Sequence, residues 1–257
     1  MRSPFHLVEM SPWPILFSVS LFCSVVGFVD LIYGGSLLLM FCGVIGAILV
    51  LGQWWRDVIR ESNQGWHTSY VAWNIRLGMV LFIVSEVMFF FSFFWAFFSC
   101  ALMPGVEAGG VWPPVGVIPL DPMGFPLLST AVLLSSGVSI TWAHYAVMAG
   151  NRVEGIYGLF FTIVLGMYFT CLQIFEFLEC SFSIADGVWG SLFYIMTGFH
   201  GVHVVFGTVA LVVCLWRLFG MGFSSERHLG FELSIWYWHF VDVVWICLFL
   251  SVYWWGG

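Results

Sequence analysis

The sequence predicts an all-α polytopic membrane protein, and three observations carry that prediction. Of 257 residues, 61% are hydrophobic and only 8% are charged, whereas a soluble domain carries about 25% charged residues. The mean hydropathy is +1.00. The charges are bunched, so residues 10–29, 31–55, 87–106, 122–151, 155–175 and 187–216 contain no Asp, Glu, Lys or Arg. A helix needs roughly 20 apolar residues to cross a bilayer core, and each run is long enough to hold one. The runs lack the dyad alternation of barrel strands. Disorder is excluded by the hydrophobicity, and a formal charge of −7 implies no nucleic-acid partner.

Seven spans follow. The first two, 14–33 and 36–55, are separated by only Gly34 and Gly35 and read as a tight hairpin. The third covers 77–103. After it come six of the nine prolines (Pro104, Pro113, Pro114, Pro119, Pro122, Pro126), which mark a long structured loop. The remaining spans are 125–148, 155–175, 188–216 and 233–255. The whole chain, 1–257, reads as a single membrane domain, with helices one and two in 14–55 and helices three to seven in 70–257. Trp54, Trp55, Trp73, Tyr253, Trp254 and Trp255 gather at span ends, as an interfacial aromatic belt predicts.

Orientation follows from the bases, all seven of which are Arg. With seven spans, Arg2, Arg56, Arg60, Arg76, Arg152, Arg217 and Arg227 fall on the N-terminal side. Asp30, Glu107, Asp121, Glu179 and Asp186 fall on the other side, without a base. The positive-inside rule therefore places the N-terminus on the side of synthesis. The opening, with Arg2, Pro4, His6, Glu9, Pro12 and Pro14, reads as neither a cleavable signal nor a transit peptide. Insertion from the compartment that encodes the chain is expected, either bacterial or organellar.

Soluble-type catalytic motifs are missing. The seven cysteines are nowhere closer than nine residues, so no CxxC cluster for zinc, copper or iron–sulfur exists. There is no phosphate-binding Gly loop, HExxH or GxSxG.

Ionisable residues at membrane depth are costly and call for a reason. Glu86 lies near the middle of span three and Asp242 ten residues into span seven, with His239 three residues before it. His200 and His203 lie in span six and His144 in span four. At 1.5 Å per residue, Glu86, His203 and Asp242 fall roughly 15–20 Å from the Arg-rich side, so a meeting between helices three, six and seven is expected. Three readings stay open on spacing alone: interhelical polar glue, a proton or ion path as in a transporter, and bis-His haem ligation by two of His144, His200, His203 and His239. A desolvated Glu86 would be mostly protonated unless paired. Where span two leaves the membrane, Trp54, Trp55, Arg56 and Arg60 suit anionic headgroups or simply set topology, and Arg217 invites the same two readings.

Four blocks then carry a resemblance. Trp54-Trp55-Arg56-Asp57-Val58-Ile59-Arg60-Glu61-Ser62, Ser136-Gly137-Val138-Ser139-Ile140-Thr141-Trp142-Ala143-His144, Gly198-Phe199-His200-Gly201-Val202-His203 and Trp236-Tyr237-Trp238-His239-Phe240-Val241-Asp242-Val243-Val244-Trp245 closely resemble the cytochrome c oxidase subunit III family. Pro4-Phe5-His6-Leu7-Val8 and Tyr253-Trp254-Trp255-Gly256 fit it too, and the likeness runs end to end. Length and the lack of a presequence suit the mitochondrial form, in the inner membrane, with the N-terminus on the matrix side and the C-terminus on the intermembrane-space side.

The resemblance implies a two-helix hairpin splayed from a five-helix bundle, with phospholipids filling the cleft. It implies a main contact with subunit I, beside other oxidase subunits, in a complex that reduces O2 with electrons from cytochrome c and pumps protons. Haem a, haem a3, CuA and CuB are expected in partner subunits, and no catalytic or metal-ligand residue in this chain. The implied role is to stabilise subunit I and support proton uptake. Glu86 matches the family's carbodiimide-reactive membrane carboxylate. Trp55, Arg60, Glu61, His67 and Arg217 match positions around lipid headgroups, and the histidines match structural ones. The stretch after Arg217 departs from the family's basic pattern, reading Leu218-Phe219-Gly220-Met221-Gly222.

Overall fold

A computed structural model describes residue 6, residues 8–106 and residues 109–257. Arg2 and Glu107, used above for orientation, and most of the Pro4–Val8 block lie outside the described residues. The described chain is helical, without strands. Its helices are α1 (Trp13–Ile32), α2 (Leu37–Asn63), α3 (Ser69–Leu102), α4 (Phe125–Met148), α5 (Arg152–Glu179), α6 (Gly187–Phe219) and α7 (Leu229–Leu248), which continues as π-helical turns over Phe249–Trp255. Among the described residues, seven helices are long and apolar enough to cross a membrane. Helices satisfy their backbone polar groups internally, which lipid demands.

Helix ends differ from the hydropathy estimate where α2 runs on to Asn63 and α3 begins at Ser69. Hydropathy stops at the interface, but helical hydrogen bonding does not. The true stop signal is local. Gly65, at φ +81°, follows α2. Its N–H bonds the Ser62 carbonyl at 3.0 Å and the Trp66 N–H bonds the Glu61 carbonyl at 3.2 Å. This closure needs a residue in the left-handed region, where glycine carries no Cβ penalty. The same pair of bonds closes α6, but there Met221 occupies the left-handed position at φ 58°.

The chain divides into two compact units, Met1–Leu77 and Gly78–Gly257, with the boundary inside α3. In the first unit, α1 and α2 pack at glycine contacts. A Cβ on Gly27 would collide with the Met40 backbone N, and one on Gly43 with the Ser24 backbone N. Phe22, Val25, Ile48 and Leu49 stay exposed, as expected of helices that face lipid.

In the second unit, the core is aromatic, built on Trp238, Trp245, Tyr253, Phe90, Phe97 and Phe169. Gly158 lets α5 approach α4 so closely that an added Cβ would lie 3.0 Å from the Ala143 backbone N. Beside it, Ser139 and Thr162 share a 2.8 Å hydrogen bond between the same helices. Asn151 caps α5 by accepting from the Glu154 N–H. Arg152 donates from Nε to the Leu218 carbonyl at 2.8 Å and also to the Phe219 carbonyl, satisfying the last carbonyls of α6.

Candidate functional site

The membrane carboxylates each find a partner. Glu86 Oε2 lies 2.8 Å from His203 Nε2, joining α3 to α6. His203 Nδ1 is 2.6 Å from the Phe199 carbonyl oxygen, which only accepts, so Nδ1 carries a hydrogen. The Glu86 contact therefore holds one proton, donated either by a carboxylic acid to Nε2 or by an imidazolium to a carboxylate. Both forms have zero net charge. Phe89, Phe90, Tyr237 and Phe240 ring His203 with centroids at 6.4, 5.0, 6.3 and 6.4 Å.

Asp242 does not join this pair. Its Oδ2 lies 3.5 Å from His239 Nδ1 on its own helix. It also faces α4, where a Cβ on Gly137 would stand 2.8 Å from Oδ2. His239 Nε2 reaches Thr141 Oγ1 at 3.4 Å. The expected convergence of Glu86, His203 and Asp242 is thus corrected, because matched depth says nothing of azimuth. Phe240 and Asp242 are two residues apart, about 200° around α7 at 3.6 residues per turn, so one faces His203 and the other α4.

His200, fully buried, donates from Nε2 to the Val241 carbonyl at 3.2 Å and so links α6 to α7. His144 lies on α4 against Phe231 and His228, with ring centroids at 6.1 and 5.6 Å, and its buried Nε2 has no partner among the described residues.

Glu176, on α5 and 1% exposed, is a membrane-flank carboxylate that the sequence reading missed. Tyr253 Oη donates to its Oε1 at 2.5 Å and Gln173 Nε2 to its Oε2 at 3.3 Å. Glu176 ends the charge-free run 155–175, so on charge alone it reads as the boundary of the span. The available signal was Gln173, three residues earlier on the same face.

At the end of α2, Asp57 is the hub. Trp13 Nε1 donates to its Oδ2 at 2.7 Å, and Arg56 and Arg60 approach its Oδ1 at 3.2 and 3.5 Å. Arg56, Arg60 and Trp55 remain exposed, while Trp54 packs edge-on against Phe17 at 6.3 Å. Glu61 takes a different partner, His6 Nε2, at 2.8 Å. His67 stands edge-on to His6 at 5.5 Å. Burial, with His6 beside it, pushes the His67 imidazole below its ordinary pKa against the opposing pull of Glu61. In the second unit, the Arg217 guanidinium sits 4.2 Å over the Phe223 ring.

This architecture defines an α-helical polytopic membrane protein whose interior acids are held by His and Tyr from its own helices. The family model for cytochrome c oxidase subunit III matches residues 3–257, and the chain belongs to that family. It is similar to cytochrome c oxidase subunit 3 of Paracentrotus lividus, 54% identical over 257 residues covering 100% of this chain and 98% of the relative. The subunit 3 of Branchiostoma lanceolatum is 55% identical over 255 residues, covering 99% and 97%. That of Drosophila yakuba is 52% identical over 255 residues, again covering 99% and 97%. The chain is accordingly a subunit of an oxidoreductase complex, and it partners the other oxidase subunits.

Proposed function

We propose that this chain is a core subunit of the mitochondrial inner-membrane oxidase that binds no redox metal. It stabilises subunit I and supports proton uptake while the complex reduces O2 and pumps protons; the haems and coppers belong to partner subunits. The observation that carries this reading is the commitment of the two interior histidines of α6. His203 Nε2 is engaged by Glu86 and His200 Nε2 by a backbone carbonyl, a pattern that suits interhelical fastening over axial ligation. The net-neutral Glu86–His203 pair suits a carboxyl group that holds a proton within the membrane. The Arg residues at the α2, α4–α5 and α6 ends favour a matrix-side N-terminus, and exposed Arg56 and Arg60 favour phospholipid headgroups there.

The test removes the chain from the purified complex and assays haem and copper in both fractions. The metals are expected to remain with the partners, and activity to decay during repeated turnover. Haem departing with this chain overturns the reading. Glu86→Gln is expected to assemble with full haem content and most of its turnover; a fully assembled but inactive variant contradicts this.

Arg217→Ala is expected to lower retained anionic lipid, weakening attraction by about 1 kcal/mol. Unchanged lipid content in the purified complex refutes it.

A further inference from the structure

The group His6, Glu61 and His67 takes no part in the interior pairs. One donor atom from each residue lies within 4.8 Å of the other two. We propose that these three side chains bind a divalent cation of the zinc class, tying the stretch before α1 to the turn between α2 and α3. The proposal goes beyond the oxidase reading and does not depend on it.

The donor chemistry selects the ion. Two imidazoles and one carboxylate form a three-ligand zinc set that leaves a fourth position for water. Imidazole suits Zn, Cu and Ni, whereas Mg and Ca prefer all-oxygen surroundings. Bonds of about 2.0–2.2 Å place tetrahedral donors roughly 3.3 Å apart. The His6–Glu61 contact at 2.8 Å is already near this spacing, and a side-chain shift of up to about 1.5 Å brings in the third donor.

The frame is suited to holding that geometry. Glu61 lies in the last turn of α2, and the Gly65 closure, with the Trp66 N–H on the Glu61 carbonyl, turns the chain so that His67 comes back beside it. The His6 and Glu61 side chains are 17% and 22% exposed, so an ion has a path in but little competing water.

The experiment uses the intact oxidase complex, stripped with a chelator and titrated with Zn2+ against a zinc-sensitive dye, with zinc X-ray absorption on the loaded complex. The starting complex is expected to bind one more Zn2+ than complexes carrying Glu61→Gln or His67→Ala, whose affinity at this site falls at least about tenfold. His67→Cys is expected to restore binding, with a Zn–S distance of about 2.3 Å. That restoration separates ligand loss from a failure of the turn to fold. Equal zinc binding by all complexes overturns the proposal, as does a His67→Cys complex that binds no better than His67→Ala. Zinc displaced by anionic lipid vesicles but unaffected by the substitutions assigns the ion to headgroups, which also overturns it.

Discussion

Gly27→Ala and Gly43→Ala will each loosen the α1–α2 hairpin by about 1–3 kcal/mol, the usual penalty for overpacking. The added Cβ at Gly43 would stand 2.6 Å from Ser24 Oγ and 2.8 Å from the Ser20 carbonyl, besides colliding with the Ser24 backbone. At Gly27 the nearest atoms are all backbone of Leu39 and Met40. Backbone cannot turn aside, so the two helices must separate. In lipid, that separation forfeits the close packing that holds helices together, since apolar burial favours contact with neighbouring helix and with lipid alike. Gly52 supplies the control on α2, because nothing lies within 4 Å of a Cβ there. Gly52→Ala should raise stability by roughly 0.5–1 kcal/mol through helix propensity. Thermal melting of the detergent-solubilised chain, read by protease access to the α1–α2 turn, orders the three variants. Gly43→Ala behaving like Gly52→Ala would sink the argument.

The contrast between these glycines shows how far the sequence could be read. The hairpin itself was legible, since two glycines between two apolar spans leave no room for anything else. Which glycines form its seam was not, because Gly43 and Gly52 look alike until α1 is laid against α2. Span number and depth were legible for the same reason that azimuth was not. Charge and hydropathy report position along the membrane normal, and Asp242 shows that a residue can match a partner's depth while facing another helix. His6 and Glu61 are 55 residues apart, and no local pattern announces such a pair. Depth alone brought Glu86 and His203 into reach of one another, and the packing then paired them while turning Asp242 toward α4.

Trp238→Ala will cost the second unit about 3–5 kcal/mol, the largest single loss expected there. Trp238 is fully buried on α7, and one indole touches three other helices. A Cβ on Gly166 of α5 would stand 2.6 Å from its ring, and a Cβ on Gly207 of α6 2.9 Å from the same ring. On α4, Ser136 Oγ accepts from its Nε1 at 2.9 Å. The glycines form the walls of the slot, so truncation leaves a cavity that rigid backbone cannot fill. Trp238→Phe keeps much of the volume and should lose far less. Ser136→Ala leaves the slot filled but strands the indole N–H, at about 1–3 kcal/mol. Thermal inactivation of the purified complex ranks them. Equal losses for the alanine and phenylalanine variants at Trp238 would show that filling the slot matters less than the hydrogen bond.

The Glu86–His203 pair also has a history in time. The two residues are 117 positions apart, and ribosomes extend a chain at about 5–20 residues per second. For roughly 6–23 s, therefore, the nascent α3 carries its acid without the imidazole that will hold it. A lone carboxylate at the centre of a membrane helix opposes insertion by about 2.5–3.5 kcal/mol. The flanking run of Val, Phe and Met must outweigh that penalty, or Glu86 must enter as the uncharged acid. The bond that fastens two finished helices is thus the last resolution of a problem posed early in biosynthesis, and the order of genetic encoding decides how long the membrane bears it.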